Sequence, residues 1–372
     1  MILRFERLRV HVKKILTILR AHFNLNLARI KCLTTMIVAI LESRSVQPSK
    51  LGRYFGGRAK SDSAVKRIHR LLKEVILPKD SVARLCVTLS GLKDGPLELI
   101  FDRTNWKFGK THINFLFLCA AHNGIAIPLF FKLLVDKKQG NSSYLDRIEL
   151  LEQFIASFGQ ERIAVVLGDR EFVGKRWIIW LRRKRIPFVM RLPEKKTKIS
   201  HNDDDAFISG NQLFKGLRKG QKRTLGFCLV GQTDSYKACV SALRSRDKSL
   251  VVLVHSNDIE NPFARYRKRW QIESMFRALK TGGFNVEDIH IKEPSRLAQL
   301  VAVLAITFCI AYRAGTLVSQ KTKKVVKNHG YREKSLIRLG LDFLWEIISA
   351  KTKPRIDRHH HAAFRFREIF VR

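Results

Sequence analysis

Apolar positions recur at helical spacing through the first 93 residues. Leu16, Ile18, Leu19, Phe23 and Leu27 form one stripe, and Leu33 to Leu41 forms another. Leu51 to Gly57 reads as a turn. After it, Val65, Ile68, Leu71 and Leu72 supply the buried face of a helix that Ser61 or Asp62 can cap, with Lys66, Arg67 and Arg70 on the opposite face.

From Pro96 the period shortens towards that of strands. Leu97 to Phe101 is a buried strand ending in Asp102. Ile113 to Ala120 and Ile125 to Leu134 follow, joined by His122-Asn123-Gly124, a hairpin signal. A helix over about 142–158, an apolar strand over 163–168 ending at Asp169, a helix near 175–184 and a strand near 187–191 complete a mixed α/β alternation. Residues 194–260 interrupt it. A polar stretch containing Asp203, Asp204 and Asp205 leads into strands at 222–230, 236–243 and 250–255, a β-rich insertion. Helical spacing resumes near 261, with an apolar helix over 297–318 and an amphipathic one over 336–348 after the basic linker 321–327. The expected division is 1–93 helical, 94–193 α/β core, 194–260 insertion, 261–320 core resumed and 321–372 a basic helical C-terminal region. No internal repeat is evident.

Charge narrows the functional classes. A formal net +39 on 372 residues, with 45% hydrophobic residues, describes a chain with a large core and strong self-repulsion. A polyanion is the natural partner, and the short helix, turn and basic helix around Lys66, Arg67 and Arg70 suggest a helix-turn-helix-like DNA reader. The longest apolar run, about Leu297 to Tyr312, falls short of the roughly 20 residues that span a bilayer, so a buried helix and no membrane are expected. Glu6 and scattered arginines interrupt the N-terminus where a signal peptide would be apolar. Cys32, Cys86, Cys119, Cys228, Cys239 and Cys309 form no Cys-x-x-Cys pair. They read as buried hydrophobes in a reducing cytoplasm. His359, His360 and His361 lie in a basic tail without acidic company.

Three acids stand out by context. Asp102 and Asp169 each close an apolar strand and each precede an arginine, Arg103 and Arg170. Glu273 lies in a basic segment where Tyr266, Arg269, Glu273 and Lys280 follow at steps of three, four and seven, one face of a helix, opposite an apolar stripe of Ile272, Met275, Phe276 and Leu279. Adjacent strand ends lie about 4.8 Å apart, where two carboxylates repel unless a cation intervenes. Hard oxygen ligands select Mg²⁺ or Mn²⁺. Two such ions about 3.5–4 Å apart suit in-line phosphoryl transfer. Glu273 would be the third carboxylate, with Tyr266, Arg269 and Lys280 on phosphate oxygens. Glu171, two residues past Asp169, reads as a surface acid paired with Arg103 or Arg170.

These residues, with Trp270 and Lys280-Thr281-Gly282 flanking the spaced quartet, resemble the DDE transposases of bacterial insertion sequences. Within them the resemblance is to the Y-R-E-K subgroup, the insertion sequence four family. The resemblance implies a ribonuclease-H-like core with a β-rich insertion between the second aspartate and the glutamate. It implies cut-and-paste transposition, in which one strand is hydrolysed at each element end, a hairpin forms and is reopened, and the 3′ ends join target DNA. It also implies a homodimer on two paired ends, acting at the bacterial nucleoid. Asp102, Asp169 and Glu273 then take the catalytic, metal-binding positions, while Tyr266, Arg269 and Lys280 grip terminal phosphates around an extruded base. Which aromatic stacks that base, Trp106 or another, is left open. A catalytically inert DNA-binding relative and a nuclease without strand transfer are the alternatives.

Overall fold

The computed structural model describes residues 2–55, 61–92, 94–108, 111–134, 140–201, 206–321 and 333–349. The acidic run 203–205, most of the linker 321–327 and the histidines 359–361 lie outside them.

Five helices come first: α1 (Ile2–His22), α2 (Leu27–Ser43), α3 (Pro48–Gly52), α4 (Ser61–Glu74) and α5 (Lys79–Ser90). Asn26 caps α2 by accepting from the Arg29 amide at 2.9 Å. On α4, Ile68, Leu71 and Leu72 are buried and Lys66, Arg67 and Arg70 exposed, as the spacing predicts, but Ala64 is the fourth buried residue and Val65 is only half-buried.

Strands then dominate. β1 (Leu97–Phe108), β2 (Thr111–His122) and β3 (Ile125–Leu133) precede α6 (Tyr144–Phe158), β4 (Ile163–Gly168), α7 (Lys175–Arg183) and β5 (Phe188–Arg191). The Asn123-Gly124 turn between β2 and β3 holds φ values of 49° and 87°, the left-handed pair that a two-residue hairpin loop requires. Next come β6 (Lys198–Ser200), β7 (Ile208–Ser209), α8 (Gly210–Leu213), β8 (Lys222–Val230), β9 (Tyr236–Arg244) and β10 (Leu250–His255). Among the described residues all ten strands join one sheet in the order β3-β2-β1-β4-β5-β10-β9-β8-β6-β7. β1 pairs with β4 and β4 with β5 in parallel, while β2 with β3 and β5 with β10 are antiparallel. The fold is therefore mixed α/β, with a first half consistent with a ribonuclease-H-like core. β4 is apolar along its whole length because both of its faces are covered.

Two expectations need correction. Asp102 does not end a strand: β1 runs six residues beyond it to Phe108. Only its pairing with β4 stops there, the last partners being Phe101 and Gly168. The helix carrying Glu273 is not continuous either. It divides into α9 (Pro262–Arg267), a 3-10 turn (Lys268–Trp270) and α10 (Gln271–Lys280). The tighter turn rotates the side chains that follow it, so a strict 3.6-residue projection does not hold across it.

A second 3-10 turn, Val286–Asp288, leads to α11 (Pro294–Lys321) and α12 (Leu336–Ser349). α11 is longer than its apolar run implied. By length and composition Pro294–Gln320 could cross a membrane, yet 83% of its most apolar window is buried in protein. It crosses α12 at glycines: a Cβ on Gly315 would stand 1.8 Å from the Leu336 carbonyl oxygen, and one on Gly340 would stand 1.8 Å from that of Ala311. All six cysteines are buried and none forms a disulfide.

The chain divides into two compact units. One comprises Met1–Lys93, Trp106–Ile113 and Met275–Arg372, and the other Asp94–Asn105 and Asn114–Ser274.

Candidate active site

The second unit contains Asp102, Asp169, Tyr266, Arg269 and Glu273. Because Phe101 and Gly168 are the last paired residues of neighbouring parallel strands, Asp102 and Asp169 leave the ladder at the same level. Gly168 is sterically fixed. A Cβ there would meet Met190 Sδ at 2.6 Å and Phe172 Cβ at 2.7 Å, so any larger residue would displace the turn that carries Asp169. Phe172 returns beneath the site, its amide donating to the Asp169 carbonyl at 2.9 Å and its ring 5.9 Å from that of Phe101.

The segment bearing Glu273 is fastened to β1. Arg265 and Lys268 both pair with Glu98, Lys268 at 2.7 Å. Asn261 caps α9 through the Ala264 amide, with Pro262 supplying the preset first turn.

Arg269 is the hub. Its Nη1 donates to Asp102 Oδ2 at 2.9 Å and its Nη2 to Glu273 Oε1 at 3.0 Å. The side chain is only 6% exposed, so this guanidinium is committed to the carboxylates and not to solvent. It lies over the Tyr266 ring at 5.8 Å and the Trp270 ring at 5.5 Å, two cation–π contacts. The Tyr266 hydroxyl donates to Asp169 Oδ1 at 3.1 Å. Thus one guanidinium and one phenol tie all three acids together. Burial pushes the Asp102 carboxyl up to about 6, with Asp169 and Glu171 adding to the rise and Arg269 and the Arg103 amide opposing it. Burial likewise pushes the Tyr266 phenol up to about 12, which keeps it a neutral donor.

Among the described residues no three acids, histidines or cysteines form a metal cage by themselves. The donor set nevertheless fits a divalent cation. It consists of hard carboxylate oxygens, one of them an aspartate whose burial disfavours its charge unless a cation is near.

The remaining predicted DNA-binding residues belong to the other unit. Lys280 ends α10 within the other unit, where its ammonium pairs with Glu287 at 3.2 Å. Lys66, Arg67 and Arg70 belong to that unit too, Arg67 over the Phe55 ring at 5.6 Å. Glu171 does pair with Arg103, but it is half-buried and not a surface acid, since the 140–142 loop also packs against it. Sequence reasoning missed what surrounds that pair: Asn114, Asn141 and the buried Arg147. A hint was present in the arginine and glutamate that closely follow the two aspartates. Nothing in the sequence pointed to the loop that meets them.

Residues 93–310, more than half of the chain, match the protein-family model described as the transposase DDE domain. No curated protein matches the chain. Among solved structures, the cryo-EM structure of the piggyBac transposase synaptic complex with hairpin DNA aligns with a TM-score of 0.46. Its identity is 10%, over 94% of this chain and 77% of that one. By the family match, which covers both aspartates and the glutamate, this chain belongs to the DDE transposase family.

Proposed function

We propose that this transposase is a metal-dependent, cut-and-paste enzyme of the insertion sequence four type, with Asp102, Asp169 and Glu273 as its catalytic carboxylates. The observation that carries the proposal is the meeting of all three acids on Arg269 and Tyr266 where the β1–β4 ladder ends. The carboxylates would hold one or two Mg²⁺ or Mn²⁺ ions, which supply an activated water or 3′-hydroxyl and charge stabilisation at the leaving oxygen. Arg269 balances Asp102 and Glu273 by donating to one oxygen of each. Tyr266 holds Asp169 in its rotamer through a neutral hydrogen bond. Trp270, 58% exposed beside Arg269, offers a ring face to DNA. Lys280 and the basic face of α4, with Lys66, Arg67 and Arg70, supply phosphate contacts, α4 as part of an N-terminal DNA-binding domain. The active form is a homodimer on two paired ends, acting on DNA in the bacterial cytoplasm.

The test is a duplex carrying the element's own end, incubated with the protein and Mg²⁺ and resolved on a denaturing gel. A nick at the end followed by a hairpin is expected. Binding without cleavage in either Mg²⁺ or Mn²⁺ would replace this reading with that of an inert DNA-binding relative. Nicking without a hairpin or strand transfer would leave a nuclease.

Charge gives a second expectation. With a net +39, end binding falls steeply with salt, the log–log slope being roughly −0.9 per phosphate contacted. A flat salt titration by fluorescence anisotropy would remove phosphate contacts as the source of affinity.

A further inference from the structure

We propose that Arg103 and Glu171 are a positioning pair that sets the separation of the Asp102 and Asp169 carboxylates. The inference rests on the reading that these two aspartates hold the cation.

Beyond Phe101 and Gly168 no ladder bond holds β1 to the chain that follows β4. Asp102 and Asp169 come immediately after that point, and like charges there push the two segments apart. Another tie is needed, and Arg103 provides it. Its Nε donates to both Glu171 carboxylate oxygens, at 2.6 and 2.7 Å. Its Nη1 donates to Asn114 Oδ1 at 3.2 Å and to the Gly140 carbonyl at 2.9 Å, and its Nη2 to Asn141 Oδ1 at 3.0 Å. The planar fork is thereby fixed in direction, which a lysine could not reproduce. Both side chains are largely withdrawn from solvent, 14% and 17% exposed, so the pair is not a screened surface contact.

Each end of the tie reaches an aspartate through a short, stiff path. The Arg103 amide donates to Asp102 Oδ1 at 2.8 Å, so the backbone that the guanidinium anchors also orients the carboxylate. Glu171 sits two residues past Asp169 in the 3-10 turn Arg170–Phe172. That turn is held from its other side by Arg147, 4% exposed, whose Nη2 donates to the Glu171 carbonyl at 2.7 Å and whose guanidinium lies 5.0 Å over the Phe172 ring. Arg103 and Glu171 thus do for the site what ladder bonds do for the strands below it, without ligating anything themselves.

The experiment is a double-mutant cycle, Arg103→Gln, Glu171→Gln and both together, read as Mn²⁺ affinity by electron paramagnetic resonance on the full chain. Losing a partner that holds a metal-ligating carboxylate in place costs roughly 10–100-fold in affinity. Each single variant is expected to lose that much, and the double no more than either single, because one tie is cut in all three. Glu171→Asp, which keeps the charge but shortens the reach, should lose affinity while its denaturation midpoint stays near that of the parent. Wild-type Mn²⁺ affinity in the variants, with only their stability lowered, would show a merely structural pair and overturn the proposal. Additive losses would overturn it as well. Asp102→Asn and Asp169→Asn run alongside. If these two leave Mn²⁺ binding intact, the metal reading itself fails, and the role of the pair falls with it.

Discussion

Asp102→Asn, Asp169→Asn and Glu273→Gln are each expected to abolish strand cleavage at an element end while leaving end binding within about twofold of wild type. Removing one carboxylate forfeits several kcal/mol of transition-state charge stabilisation, which is roughly a 10³-fold or greater loss of rate. The amides keep shape and one acceptor oxygen each, so Tyr266 keeps its partner at position 169 and Arg269 keeps its partner at position 273, while at position 102 a single oxygen serves either the Arg269 guanidinium or the Arg103 amide. Asp102→Asn has a further signature. Burial raises the folded carboxyl to about 6, above its ordinary value of 3.8. Its contribution is therefore fully present below about pH 4 and is lost as pH rises through about 6. At neutral pH in cation-free buffer the ionised group is a net cost on the order of 3 kcal/mol, which a neutral asparagine avoids. Inactivity together with a higher denaturation midpoint would mark a charge held for chemistry. Inactivity with lost DNA binding and lower stability would mark Asp102 as a structural acid instead.

Gly315→Ala and Gly340→Ala are expected to be the most damaging small substitutions away from the site. In each case the added methyl would stand 1.8 Å from a backbone carbonyl oxygen of the facing helix, an atom that cannot rotate away as a side-chain tip can. Overpacking a core by one methyl costs about 1–3 kcal/mol where side chains can yield, and here α11 and α12 would have to separate. Loss of amide-exchange protection along α12 and a lower denaturation midpoint are the readouts. Gly216→Ala is the control, since a Cβ there meets nothing within 4 Å. Protection along α12 unchanged from the parent in both variants would mean that the helices do not pack as closely as described.

How far the sequence disclosed this arrangement depended on the range of the interaction involved. β8 and β10 begin and end where alternation and turn residues place them, and β9 overruns by one residue, because strand patterning is local. Three of the four residues on the buried face of α4, Ile68, Leu71 and Leu72, were legible for the same reason. Asp102 and Asp169 could be singled out because an acid after an apolar run is conspicuous, but that β1 continues past Asp102 was not visible. Its extension depends on pairing with β2, not on its own polar composition. The 3-10 turn at Lys268–Trp270 was hidden because Tyr266, Arg269 and Glu273 keep a helical rhythm across it. The least legible features join distant segments. Arg103 meets Asn114, Gly140 and Glu171, and Gly315 meets the start of α12, and no residue announces such a partner in advance.

The single ten-stranded sheet has a consequence for how this chain can vary in length. Its two outer strands are poor templates for another chain. β3 carries Pro128 and a bulge opposite Leu118 and Cys119, and β7 is only two residues long. β5, by contrast, is a buried apolar strand that β10 covers through Leu253, Val254 and His255. Excising residues 194–260 would therefore not yield a trimmed enzyme. It would strip the cover from β5 and present an open, sticky strand to every other copy in solution, so tolerated gains and losses of sequence belong at loop tips such as 231–235 and not in the strands themselves.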